Sequence, residues 1–174
     1  SKYSEVGGWN DPDMLEVGVG SLTMEENKSH FTLWCMMAAP LILGNDVRKF
    51  LKEDGTVDTD NKVLEILTNK NLIAIDQDKL GKQAKRIFTD GISDILVKPL
   101  ENGEIALCFF NKGNTQREMS VTFNKLHNDI YVNLPIVDEY EAKDLWTNEE
   151  TTVKGKISAN VAPHGVMVYK IKAK

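Results

Sequence analysis

The chain has 174 residues, a formal net charge of −5, 41% hydrophobic and 27% charged residues. That is ordinary globular composition, which excludes a collagen, a coiled coil or a disordered chain. The acidic balance offers no footprint for nucleic acid, and no apolar run approaches the roughly 20 residues of a membrane helix, so neither is an expected partner.

In chain order, an extended segment is expected at 6–9. Thr23 with Glu26 three residues on is a capping box, and the acidic Glu25 and Glu26 suit a helix start. This helix is expected to run to about Ala39. From Phe31 onward it is apolar on nearly all sides, the pattern of a helix buried all round. Pro40 stops it. Leu41-Ile42-Leu43-Gly44 reads as a strand buried on both faces. Asp46 reads as the N-cap of a short turn. A second helix is expected from about Thr59 to Thr68, with Val63, Ile66 and Leu67 as its apolar stripe. The apolar segment Leu72–Ile75 follows. Strand, helix, strand, helix implies parallel strands.

The pattern changes near residue 80, with strands from Lys85 onward. Short strands at about ten-residue spacing are expected at Ile95–Leu100, Ile105–Phe110, Glu118–Phe123, Tyr140–Asp144, Thr151–Val153, Gly155–Val161 and Val166–Lys172. The first two form a hairpin across Glu101-Asn102-Gly103. The fold class expected is therefore α/β followed by all-β, with an antiparallel β-sandwich over 85–174. Two parallel strands and two helices cannot bury their own faces. Residues 1–84 thus read as the closing part of a larger α/β domain, unless an oligomer supplies the neighbours. The start at Ser1, without methionine or a signal-like apolar stretch, reads as processing or as a piece of a longer protein.

The densest polar group is Gly7 to Glu16, with a tryptophan and three carboxylates. Asn and Asp make side-chain turns, so a tight loop is the plain reading. The sharper one is a carbohydrate site: carboxylates accept hydrogen bonds from sugar hydroxyls, and an aromatic face meets the sugar's apolar side. Asp46 reads as a helix cap with Arg48 as its neighbour. His30 reads as a packing or capping histidine, and His127 and His164 as turn residues. No GxSxG, HExxH, CxxC or phosphate-loop pattern occurs. Asn27-Lys28-Ser29 is a formal glycosylation sequon. Cys35 and Cys108 are too few for a disulfide framework or a zinc site. They read as buried thiols, and the missing framework leans toward a cytoplasmic compartment.

The run GGWNDPDMLEVG resembles the seventh-strand motif of the α-galactosidases of glycoside hydrolase family 27. HFTLWCMMAAPLILGNDVR is similar to that family's seventh helix, eighth strand and following loop, and NLIAIDQDKLGKQ to its exit from the barrel. DLWTNEE and VAPHGVMVYKI are similar to its C-terminal sandwich. The resemblance implies the C-terminal portion of a (β/α)8 barrel over 1–84, holding its last two βα units, and the sandwich over 85–174. It implies a retaining glycosidase that releases terminal α-linked galactose from galactosides, without cofactor or metal. Such an enzyme needs two carboxyl groups about 5–5.5 Å apart. Both family carboxylates come from earlier strands, so no catalytic residue is assigned here and the isolated chain is expected to be inactive. What carries over is Asp13 and Met14 as substrate-binding residues, with Trp9, Asn10 and Asp11 shaping the loop. Asp13 is expected just after a barrel strand, facing the barrel mouth. The implied partner is the N-terminal part of the barrel, roughly 200 residues at typical barrel size. One departure is Val19, where the family carries asparagine, which removes a polar group at the rim. The alternatives are α-N-acetylgalactosaminidase on the same fold, or a non-catalytic sugar-binding or assembly module.

Overall fold

The computed structural model describes residues 3–174. Helix α1 (Met24–Met37) starts at the capping box: Thr23 Oγ1 accepts from the Glu26 amide at 3.3 Å, and Glu26 Oε2 accepts from the Thr23 amide at 2.8 Å. It ends at Ala38, which turns into the left-handed region with φ 51°. Replacing a capping Thr by Ala costs about 1 kcal/mol. Thr23→Ala should therefore lower the melting temperature by about 2–4 °C in a chain of this size. Calorimetry checks this, and an unchanged midpoint would show that the cap contributes nothing.

The sequon is closed to a glycan. Asn27 is 2% exposed; its Oδ1 accepts from the Gly18 amide and its Nδ2 donates to the Leu22 and Thr23 carbonyls. Gly18 itself stands at φ +73°, and a Cβ there would lie 2.4 Å from Val63 Cγ2. Only glycine lets this loop close onto the following helix pair.

The all-round burial expected of α1 is only half realised. Phe31, Cys35 and Met36 are buried, whereas Leu33, Trp34 and Met37 remain partly exposed. One side of the helix meets the sandwich and the helices α2 (Lys62–Leu67) and α3 (Lys70–Asp76). Asn61 and Asn69 cap those two helices, each side-chain oxygen accepting two backbone amides. The apolar segment Leu72–Ile75 thus lies inside α3, and the second expected helix begins three residues later than Thr59. Asp46 caps a 3₁₀ turn over Val47–Phe50, as its sequence position predicts.

The expected strand at 6–9 is instead a turn, closed by reciprocal Glu5–Gly8 hydrogen bonds. Strand-like pairing occurs further on, at one parallel bridge between Leu15 and Leu43. There the Leu15 amide donates to Ile42 O at 2.7 Å and the Gly44 amide to Leu15 O at 2.9 Å. Two parallel segments without outer neighbours hold only this minimal ladder.

The second half is a sandwich. Strands β1 (Lys85–Thr89), β2 (Ser93–Pro99), β3 (Ile105–Asn111), β8 (Val166–Ala173), β5 (Tyr140–Asp144) and β6 (Glu150–Val153) lie in that order in one six-stranded antiparallel sheet. Strands β4 (Arg117–Thr122) and β7 (Lys156–Val161) form the second sheet. The predicted β2–β3 hairpin is present in antiparallel register, Ser93 opposite Asn111. Two elements were not anticipated, the edge strand β1 and the short helix α4 (Phe123–His127). Ile95, Val97, Leu107 and Phe109 pack on Met119, Val121, Ile157 and Val161. The opposite face of β3 is buried as well, because Ala106 and Cys108 share a core with Leu15, Phe31, Cys35, Met36 and Leu72. Both halves therefore rest on one hydrophobic layer. Both cysteines are buried and free, and burial raises both thiols, that of Cys108 to about 12.

Polar ties reinforce the junction. Ser29 Oγ donates to His164 O at 2.7 Å, and Glu26 Oε1 lies 3.1 Å from His164 Nδ1. Asn69 and Asn71 both donate to the Leu145 carbonyl. The buried Lys98 on β2 donates to Lys82 O at 2.6 Å, and its charge acts on the buried Asp76 at the end of α3.

Candidate functional site

Residues 7–16 run along the surface before the Leu15–Leu43 bridge. Gly7 takes φ +90°, as the Glu5–Gly8 turn requires. Asn10 Nδ2 donates to Gln83 Oε1 at 2.8 Å, tying the loop to the chain entering β1. Asp11 Oδ1 accepts from the Asp13 amide at 2.9 Å, an Asx turn. That turn sets Asp13 at φ +83°, a conformation that Asp and Asn tolerate better than most residues. Asp13 Oδ1 accepts from the Met14 amide at 2.7 Å, and Trp34 Nε1 donates to Asp13 O at 3.4 Å. Among the described residues Asp13 Oδ2 has no partner, so it is open to a donor from outside the chain.

The loop separates the residues named from its sequence. Met14 is 50% exposed and stands beside Gly44, whose Cβ would meet Met14 Cβ at 3.5 Å. Trp9, 43% exposed, stands beside Gly81 in a cleft of about 440 Å³ lined also by Pro40, Asp76 and Asp78. Trp9 therefore lines a cleft that Asp13 and Met14 do not. Asp13 also lies two residues before the paired Leu15, not after a strand at 6–9 as the sequence suggested. The pairing begins later because the Glu5–Gly8 turn consumes the expected strand.

Sequence reasoning did not connect His30 and Trp34 with this loop. Their rings lie 4.1 Å apart, and His30 Nε2 accepts from the Glu16 amide at 3.1 Å. Burial lowers the His30 pKa against the opposing pull of Glu16, which suits a neutral acceptor nitrogen. The i, i+4 spacing on α1 was the available signal. Asp46 and Arg48 form an exposed bidentate pair at 2.8 and 2.7 Å. Arg48 holds the Asp46 carboxyl below the usual carboxylate range.

An α/β portion with one parallel bridge is thus joined through one core to an antiparallel sandwich, with the Asp13 carboxylate two residues before that bridge. Residues 2–78 match the family model described as Alpha galactosidase A, and residues 90–171 that of the Alpha galactosidase C-terminal beta sandwich domain. The chain belongs to the α-galactosidases of glycoside hydrolase family 27. It is 35% identical to Alpha-galactosidase 2 of Arabidopsis thaliana, covering 97% of this chain and 39% of that protein. It is 37% identical to Alpha-galactosidase A of Cellvibrio japonicus, covering 98% of this chain and 41% of that protein. The crystal structure of alpha-galactosidase I from Mortierella vinacea superposes with TM-score 0.84 at 33% identity, over 97% of this chain and 40% of that one. The chain thus spans about two fifths of the length of these relatives. Its fold is the C-terminal portion of a (β/α)8 barrel followed by the β-sandwich.

Proposed function

We propose that this chain is the C-terminal part of a longer retaining α-galactosidase that releases terminal α-linked galactose, its relatives being named for that activity. The observation that carries the reading is that both halves, joined through one core, match a single enzyme family along almost the whole chain. In this reading residues 1–84 are the last two βα units and residues 85–174 the sandwich. Asp13 and Met14 bind substrate, while Asn10 and Asp11 shape the loop through the hydrogen bonds described above. Trp9 shapes its other end against Gly81. Nucleophile and acid/base come from the rest of the barrel. The exposed Met14, Ile42, Leu43 and Val47, each at least 40% accessible, support such a covering segment.

The full-length protein should hydrolyse an aryl α-galactoside and release α-galactose first, as proton NMR of the fresh product reports. The purified 174-residue chain should show no turnover. Release of β-galactose first, or turnover by the isolated chain, would overturn the assignment. Faster hydrolysis of the aryl α-N-acetylgalactosaminide would replace galactose by its 2-acetamido analogue as substrate.

A further inference from the structure

We propose that the corner between the β5–β6 turn and helices α2 and α3 binds a neutral saccharide chain, with Trp146 as its platform. Trp146 lines two adjoining clefts. One, of about 470 Å³, is polar and walled by Thr68, Asn71 and Asn148; the other, of about 360 Å³, carries Met24, Lys28 and Ile66. The half-buried indole is held from two directions: its Nε1 donates to Thr32 Oγ1 at 3.3 Å, and the Lys28 ammonium lies 5.7 Å from the ring centroid. The Trp146 backbone amide, which donates to Asp144 Oδ1 at 2.7 Å, anchors the turn that carries it. A ring fixed before binding loses little entropy when a ligand stacks on it.

The polar cleft offers a matched donor and acceptor. Asn71 Nδ2 donates to Leu145 O at 3.1 Å and to Asn148 Oδ1 at 2.9 Å. Those bonds fix the orientation of both amides. Among the described residues they leave Asn71 Oδ1 and Asn148 Nδ2 without partners, an acceptor beside a donor. A hydroxyl group both donates and accepts, so adjacent hydroxyls of a sugar ring satisfy this pair. Asn69, by contrast, spends its Oδ1 on two helix amides and one Nδ2 donor on Leu145 O, so it offers no acceptor to a ligand. Asn148 is set at φ +66° at the turn, so its position is fixed by the backbone. Of the charged residues that line the clefts, Lys62 pairs with Glu65 at 2.9 Å and Lys28 with Glu25 at 3.3 Å, and Lys70 alone has no ion pair among the described residues. A lining whose charges are mostly paired favours an uncharged ligand. Two clefts meeting at one indole suit an extended chain better than a single ring.

The choice of polysaccharide rests on the proposed α-galactosidase reading, whose polymeric substrates carry galactose on a sugar backbone. Affinity electrophoresis of the full-length protein in gels containing galactomannan tests the site. Wild type should be retarded. Asn148→Gly, which keeps the left-handed backbone accessible, should weaken binding about 2- to 10-fold by removing one hydrogen bond. Trp146→Ala should weaken it further, and Trp146→Phe should recover part of it. All three should hydrolyse a small aryl α-galactoside like wild type. No retardation of wild type, or equal retardation of wild type and a folded Asn148→Gly, would overturn the proposal. Retardation without any glycosidase activity would sustain this site while overturning the assigned activity.

Discussion

Asp13→Asn in the full-length enzyme should lower kcat/KM on an α-galactoside roughly 10- to 200-fold while leaving the fold intact. The argument starts from the loop. Asp13 stands at φ +83°, held by the Asp11 Asx turn, and spends Oδ1 on the Met14 amide. Asparagine tolerates that backbone and keeps an oxygen for Met14, so the loop survives the change. What it alters is the free Oδ2, which becomes an amide nitrogen that donates instead of accepting. A hydrogen bond to a charged group contributes about 1.5–3 kcal/mol, and 1.36 kcal/mol is tenfold in rate. Activity should persist at the reduced level, because Asp13 is neither nucleophile nor proton donor in this reading. Asp11→Ala should behave differently. It removes the Asx turn, so it should lower the melting temperature together with activity. Measuring kcat/KM and melting temperature for both variants separates the roles. Full activity in Asp13→Asn would remove it from the substrate pocket.

How much of this was legible in the sequence follows from the range of the interactions. The α1 cap is local, four residues read against one backbone turn, and it appears where Thr23 and Glu26 place it. The strands β2 to β8 were legible because polar and glycine-bearing turns separate them, and their bounds fall within one or two residues of expectation. β1 was not: it is an edge strand with a register shift between Arg86 and Phe88, so its alternation is broken. Leu72–Ile75 is four apolar residues, a length at which strand and buried helix look alike. The Asn69 cap decides for helix. The motif around Asp13 was visible as a motif, but its position relative to the strand was not. That depends on how much chain the Glu5–Gly8 turn takes up, and on pairing with Leu43, 28 residues away in sequence from Leu15. The Trp146 corner was hidden for the same reason, since one wall comes from α2 and α3 and the other from a sandwich turn.

The least legible feature is the burial of two charges that act on each other, Asp76 and Lys98, and it carries the second large prediction. Asp76 is 6% exposed and Lys98 fully buried. Asp76 Oδ2 accepts from Gln77 Nε2, while among the described residues Oδ1 has no partner. Burial pushes the Asp76 carboxyl up to about 6, against the opposing Gln77 hydrogen bond and the Lys98 charge. Burial likewise pushes the Lys98 ammonium down to about 8. Below pH 3.8, the ordinary Asp value, Asp76 is protonated in both states and its favourable contribution is full. As pH rises toward 6 the unfolded chain releases this proton while the folded chain still holds it, so stability falls. Above 6 the loss is complete. At 1.36 kcal/mol per pH unit the loss is about 3 kcal/mol. Asp76→Asn cannot titrate and should lack it. About 2.4 kcal/mol of that loss falls between pH 4 and pH 7, so the melting temperature of Asp76→Asn relative to wild type should rise by about 5–10 °C over that interval, at about 2–4 °C per kcal/mol. Lys98 has the opposite slope: folding should gain as pH climbs from 8 toward 10.5, and Lys98→Met should flatten that limb. Calorimetry of wild type and both variants at pH 4, 7 and 9.5 reads the two limbs separately. A wild-type-to-Asn difference that stays constant from pH 4 to 7 would show that Asp76 is ionised inside the fold without cost, and that its unpaired oxygen is solvated.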